Sequence, residues 1–374
     1  MPDKALHIGI VGAGGFAHFA AVAFLNVPGI SIVAVSDTNE SAANEFGTKF
    51  NASVYADYAL FLKDSRIELI YIATPPYLHF QQSKLALMAG KHVICEKPAA
   101  LHAEQAEELA VLAAQLQLLY VVNLMQRYNP LFETVKMICD KKMLGNFLHG
   151  FFENYASDEN LGPKHWFWDE EKSGGIFIEH AVHFFDLFEG WLDEGKVVNA
   201  IALQRPGVGK KITDRVQATV LYQDGIVNFY HGFDQPKILD RQEMRLQFER
   251  GEITLYGWIP VKIKLHGLLL HHHLEILQNQ LEGAKIEQQD AGYPEMQLTR
   301  GRFQEILFDH HVTIHYGNEM EKQNRYRQML TAMITDQWKW IVNKNHVRVI
   351  AERNAIQSLK MAETAQRLSK ETKN

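Results

Sequence analysis

ALHIGIVGAGGFA, Ala5–Ala17, is the stretch on which the reading of this chain turns. Its first seven residues are β-prone and apolar on both faces, as a strand buried inside a parallel sheet must be. The glycines that follow fill a G-x-G-x-x-A pattern with Gly12, Gly14 and Ala17. Such a loop lets the chain turn tightly and bring its backbone up to a pyrophosphate at the start of a helix. The next apolar run, ISIVAVS, ends in Asp37, twenty residues after Ala17, where a carboxylate can accept hydrogen bonds from the 2′ and 3′ hydroxyls of a ribose. Strand, glycine turn, helix and acid together predict a dinucleotide site. Asp37 would repel a 2′-phosphate, which favours NAD over NADP.

Reading outward, LIYIAT, HVICE and YVVNLM repeat the doubly apolar pattern, with helical segments at Ala17–Asn26, Tyr77–Met88 and Ala103–Gln117 between the runs. The alternation predicts a doubly wound parallel α/β sheet. From about Asn146 the runs lengthen and alternate: NFLHGFFENYA, KVVNAIALQRP, RVQATVLY, IVNFYHGF, MRLQFE and ITLYGW. Pairs joined across Asp224-Gly225 and Arg250-Gly251 predict a mainly antiparallel sheet. Two helices are expected at the end, over about Lys322–Val342 and Ala351–Ser369. The domains expected are a dinucleotide-binding domain over 1–124 and a substrate-binding and oligomerisation domain over 125–374.

The 374 residues carry a net charge of -6, with 47% hydrophobic and 11% aromatic content, which suits a large core and two domains and gives no electrostatic footprint for nucleic acid or a membrane surface. Two cysteines, Cys95 and Cys139, make neither a disulfide framework nor a structural zinc site. The opening MPDKALHIGIVG lacks the basic and apolar regions of a secretion signal, and the longest apolar stretch is broken by Gln115 and Gln117, so a cytoplasmic protein is expected.

Two more loops fall at carboxyl ends of parallel strands, where doubly wound sheets bind ligands. ATPPYLH, Ala73–His79, ends the fourth strand, and CEKPAA, Cys95–Ala100, ends the fifth. Pro98 restricts the backbone where Lys97 leaves the sheet, so the ammonium can be held over the crevice. The third stretch of interest is GGIFIEHAVHFFDL, Gly174–Leu187. At about 100° per residue, an α-helix would put Glu179, His183 and Asp186 on one stripe, with Phe177, Phe184 and Phe188 on the other side. The stripe could hold a metal, could pair a base with its orienting carboxylate, or could be a solvated face. His180 adds a further possible ligand, but no distant third ligand is signalled, and no metal is expected.

Taken in order, GAGGFA, SD, ATPPYLH, EKP, RYNP, SGGIFIEHAVHFFDL and AERNAIQSLKMAETA resemble the Gfo/Idh/MocA oxidoreductases, relatives of glucose-fructose oxidoreductase and inositol dehydrogenase. The likeness is weakest from about Val261 to Gln323. It implies an N-terminal Rossmann domain, a C-terminal domain built on an open antiparallel sheet, and hydride transfer between NAD(P) and a carbinol carbon of a sugar or polyol. It further implies that Lys97 is the lysine of the family's E-K-P motif, often with a cis bond before the proline, and that His183 is the catalytic histidine. Where the family carries Asp four residues before that histidine, this chain has Glu179. A homo-oligomer is implied as well, since the family's open sheet commonly packs on a second subunit.

On this reading His183 is the base that takes the hydroxyl proton, Lys97 steadies the developing alkoxide, and Glu179 orients the imidazole. Gly12, Gly14, Gly15, Phe16, Ala17, Asp37, Thr74, Pro75, His79, Glu96 and Lys97 are expected at the cofactor. Lys97, Asn123, Arg127, Tyr155 and His183 are expected at the substrate. Trp166 and Trp168 read as core or interface, and His271–His273 as a partly buried helix or an oligomer contact. Two other functions stay open: an NAD-assisted glycoside hydrolase or lyase that oxidises transiently, and a sensor that holds nucleotide without turnover.

Overall fold

A computed structural model describes residues 5–158, 161–222, 225–289 and 296–371. The first residues of the N-terminal stretch and Asp224 of the expected Asp224-Gly225 turn lie outside them. The chain forms two compact units, and these do not follow chain order. The first comprises Met1–Tyr128, Lys164–Asp186 and Tyr326–Gln366; the second comprises Asn129–Pro163, Leu187–Arg325 and Arg367–Asn374.

In the first unit six strands are wholly parallel: β1 (Leu6–Val11), β2 (Ile30–Ser36), β3 (Ser53–Tyr55), β4 (Leu69–Ile72), β5 (His92–Cys95) and β6 (Tyr120–Val122). Their order, β3-β2-β1-β4-β5-β6, reverses direction between β1 and β4, and in such a sheet the crevice outside that reversal is where ligands bind. All four residues of β4 and all three of β6 are buried, as the unbroken apolar runs require. The expected helices are present as Gly15–Leu25, Pro76–Met88 and Ala103–Leu116.

What chain order does not reveal is that two later segments return to this unit. The helix Lys322–Val342 buries Met329, Leu330, Met333, Ile334 and Trp338. Thr331 donates to the Ala23 carbonyl at 3.1 Å, and the Asp336 carboxylate accepts from the Tyr128 hydroxyl at 2.6 Å. The segment 164–186, which carries the Glu179–Asp186 stripe, is part of the same unit.

The second unit is built on a nine-stranded mixed, mainly antiparallel sheet. Its strands are β7 (Phe147–Tyr155), β8 (Gly195–Pro206), β9 (Lys211–Tyr222), β10 (Gly225–Gly232), β11 (Arg241–Phe248), β12 (Gly251–Tyr256), β13 (Lys262–Leu269), β14 (Lys285–Gln288) and, after a separate ribbon of β15 (Gln297–Gly301) and β16 (Gln304–Phe308), β17 (His310–Gly317). The order is β14-β17-β13-β12-β11-β7-β10-β9-β8, with β7 and β10 the parallel pair. Alternate residues of β11 and β13 are buried, so one face carries the core and Met244, Leu246, Ile263 and Leu265 point into it. His271–His273 open a partly buried helix, His271–Gln280, and the stretch LHGLLL before them leads into it from a strand. Up to Leu269 that stretch belongs to β13, where the alternation of buried and half-buried residues obeys the period of two. His271 Nδ1 lies 3.0 Å from His310 Nε2, and His266 Nε2 lies 2.9 Å from His311 Nε2. No helix among the described residues is long and apolar enough to cross a membrane.

Candidate active site

The glycine loop is shaped by what crowds it. Gly12 has φ +91°, and a Cβ there would stand 2.7 Å from the Ala73 carbonyl oxygen, so the chain can leave β1 past the loop after β4 only as glycine. At Gly14 and Gly15 a Cβ would meet nothing within 4 Å, which leaves the start of the helix Gly15–Leu25 open to a close approach. Asp37 is fixed beside the loop: Oδ2 accepts from the Ala13 N–H and Oδ1 from the Asn39 N–H, both at 2.7 Å. A carboxylate has about four acceptor positions, so two backbone donors leave room for ribose hydroxyls. Ala17 is a buried residue in the first turn of that helix, and the Phe16 ring lies 6.1 Å from that of Tyr326.

Beyond β4, Thr74 Oγ1 donates to Gln82 Oε1 at 2.6 Å, and Pro75 stands at the N-terminal end of the helix Pro76–Met88. His79, expected to touch cofactor, is 1% exposed, with Nδ1 2.7 Å from the Pro98 carbonyl and Nε2 2.7 Å from the Thr74 carbonyl. It ties the loop after β4 to the loop after β5. Burial lowers its pKa, with the two carbonyls opposing. Glu96 is held by the Tyr71 hydroxyl and by Asn123 Nδ2, which donates at 2.8 Å. Burial raises the Glu96 pKa against the pull of these two donors and of Lys97.

Lys97 precedes Pro98 through a cis peptide bond. Its Nζ donates to Glu179 Oε1 at 2.5 Å and to the Glu179 carbonyl at 2.9 Å. Both partners are largely buried, with the Lys97 side chain 17% exposed and that of Glu179 11%. Val182, Ala355, Ser358 and Leu359 close around the Lys97-Pro98 turn.

The stripe is not the plain α-helical one. Gly174, at φ +77° with no space for a Cβ beside Ile178, ends the short helix Glu170–Ser173, and the chain then enters a π turn, Phe177–Ala181, before the α-helix Val182–Leu192. A turn closed i→i+5 holds one residue more than an α turn, which rotates Glu179 relative to His183 and Asp186. The three acids and bases accordingly have separate surroundings. Glu179 takes Lys97. Asp186, fully buried, takes Arg127 as a fork, with Nε 3.0 and 2.9 Å from its two oxygens and Nη2 donating to its backbone carbonyl at 2.8 Å. His183, 2% exposed, lies well below the ordinary imidazole pKa, first through burial and then through the Lys97 charge. With Glu179 and Asp186 at 8% and 0% exposure, the stripe is no solvated face. Among the described residues no three His, Cys, Asp or Glu side chains converge to hold a metal.

Two residues expected at the substrate are committed to scaffold. Asn123, 1% exposed, serves Glu96 and lies 3.3 Å from the Tyr71 hydroxyl, and Arg127 serves Asp186. Tyr155 belongs to the second unit, where the Arg241 guanidinium stands 4.5 Å from its ring centroid and the Tyr230 ring 5.1 Å away. Sequence reasoning missed Tyr71, whose signal is a lone hydroxyl inside the otherwise aliphatic run LIYI, and Asn354, whose side chain hydrogen-bonds Asp186.

Residues 6–124 match the NAD-binding Rossmann domain of the oxidoreductase family GFO_IDH_MocA, and residues 132–254 match a C-terminal domain of the same family. The chain belongs to the Gfo/Idh/MocA family. Its curated relatives include oxidoreductase P35 of Formosa agariphila, 25% identical over 281 residues that cover 73% of this chain and 86% of that one. Levoglucosan dehydrogenase of Pseudarthrobacter phenanthrenivorans is 26% identical over 209 residues, 52% of this chain and 53% of the relative, so the match spans about half of that protein. Among solved structures, the WlbA dehydrogenase of Bordetella pertussis in complex with NADH and UDP-GlcNAcA superposes with a TM-score of 0.80 at 17% identity, covering 100% of this chain and 97% of that one. Solved structures of this fold carry NADH or NADP+. The family assignment makes the protein an oxidoreductase with an NAD(P)-binding Rossmann domain and sugar dehydrogenases among its relatives.

Proposed function

We propose that this protein is an NAD-dependent dehydrogenase that moves a hydride between nicotinamide and a carbinol carbon of a sugar or polyol. The observation that carries the reading is Lys97: an ammonium clamped by Glu179 at the carboxyl end of β5, its charge bearing on a buried histidine, in the unit that also bears the glycine loop and Asp37. The family supports the cofactor, and levoglucosan dehydrogenase supports the substrate class. Gly12–Ala17 would hold the pyrophosphate and Asp37 the ribose. Bound nicotinamide supplies the acceptor for the hydride.

The chain's own part is the proton. A low pKa keeps His183 neutral, with a ring nitrogen able to accept the hydroxyl proton. Lys97 gives the developing alkoxide a cation, and Glu179 fixes that cation rather than the imidazole. Net formation of NADH over a panel of sugars and polyols tests the proposal. A family member that only oxidises transiently, or that only senses nucleotide, yields none.

Cofactor choice rests on Asp37. NAD(H) should bind more tightly than NADP(H) in calorimetric titration, and Asp37→Ala should narrow the difference by removing both the ribose acceptor and the repulsion of a 2′-phosphate. Tighter NADP(H) binding by the parent chain would sink the assignment. Glu179→Gln gives a second test. Without the carboxylate the Lys97 charge acts on His183 uncompensated, so the acid limb of the kcat/KM pH profile should move to lower pH as activity falls. A limb that stays in place would detach Glu179 from the pair.

A further inference from the structure

The C-terminal end of the helix Ala103–Leu116 and the segment joining the helices Lys322–Val342 and Glu352–Glu371 enclose a cleft of about 500 Å³ in the first unit. None of its lining residues belongs to the candidate active site. One side is apolar, with Ala110, Ala114 and Leu118. The other is cationic and built on one indole: Lys344 Nζ stands 3.4 Å from the Trp340 ring centroid, and the Arg348 guanidinium carbon 4.5 Å.

The charges in this cleft do not balance. Arg348 Nη2 donates to the two Glu352 oxygens at 3.1 and 2.8 Å, and Glu352 is the one carboxylate lining the cleft beside two cations. Among the described residues Lys344 donates to a backbone acceptor, the Gln117 carbonyl at 3.2 Å, and its pKa is lowered by burial and then by the Arg348 charge, with Glu352 opposing. The Arg348 side chain is 10% exposed, and its Nη1 has neither water access nor an acceptor among the described residues. A buried donor without an acceptor is costly, and a small rotation of the guanidinium onto an anion in the cleft would satisfy it. The volume lies in the range of ordinary small-molecule sites, where a mostly apolar lining with a few placed polar groups is the usual composition.

We propose that this cleft binds a small organic anion, a carboxylate or phosphate ester on an apolar body, with the acid group on Arg348 and Lys344 and the body against Ala114 and Leu118. Benzoate is a suitable probe, titrated calorimetrically into the full chain saturated with NADH, beside benzyl alcohol as the uncharged ring and acetate as the charge without a body. Benzoate should saturate, with both controls weaker by about tenfold or more. Arg348→Gln should weaken benzoate by about tenfold. Because Arg348 also holds Glu352, Lys344→Gln, at an exposed position, is the companion variant and should weaken it about threefold with an unchanged melting curve. Absent saturation, equal binding of benzyl alcohol, or benzoate affinity unchanged in either variant while the chain stays folded overturns the proposal.

Discussion

His183→Ala should lower kcat by about a hundredfold or more, the range in which a positioned general base contributes, while NAD affinity stays close to that of the parent chain. The structure alters the grounds for the second half of that expectation. In chain order His183 falls in the substrate-binding domain expected over 125–374, apart from the domain expected to hold the nucleotide. In fact His183 shares a unit with the glycine loop and Asp37. The glycine loop should keep its shape for a different reason: the Gly12 N–H donates to the Ser36 carbonyl, those of Ala13 and Asn39 donate to Asp37, and none of these bonds passes through the histidine. Lys97 likewise keeps both of its Glu179 acceptors when the imidazole is removed. The variant should therefore bind NAD in calorimetry and fail to turn it over with a confirmed substrate. If it turns over like the parent, the proton leaves by another group and the proposed mechanism is wrong.

The parts of this site that could be read in the sequence are those set by local rules. A glycine turn between a strand and a helix, an acid at the end of the next strand and a lysine before a proline each depend on a few adjacent residues, and Gly12, Asp37 and Lys97 lie where those rules put them. The stripe could not be read in the same way. The rotation between Glu179 and His183 depends on a π turn, and nothing in the period of FIEHAVHFFDL distinguishes five residues closed i→i+5 from an α turn. Partners separated by long stretches of chain were hidden too. Arg127 and Asp186 are 59 positions apart, and of the two segments that rejoin the first unit 164–186 follows β7 whereas 326–366 comes only after β17, the last strand of the nine-stranded sheet. Chain order suggests a boundary and says nothing about later segments that cross back over it.

Arg127→Met should destabilise the fold by about 3–5 kcal/mol at neutral pH, the usual cost of leaving one partner of a buried ion pair alone. Asp186 is fully buried, and Arg127 reaches both of its oxygens and its carbonyl, so no water can take over when the guanidinium is gone. The pH dependence has a definite sign. Burial already raises the Asp186 pKa above the ordinary carboxylate value, with Arg127 and Asn354 pulling it down. Removing Arg127 raises it further. Between the unfolded value and this raised folded value the native state binds a proton that the unfolded chain has released, so stability is greatest on the acid side and falls as pH rises through the window. The deficit of Arg127→Met against the parent should therefore grow from acid to neutral pH in urea melts. Adding Asp186→Leu removes the stranded charge and should recover much of the loss, which separates a charge effect from a simple packing defect. A deficit that is flat with pH and untouched by the second substitution would mean that Arg127 stabilises the unit by its bulk and not by its charge.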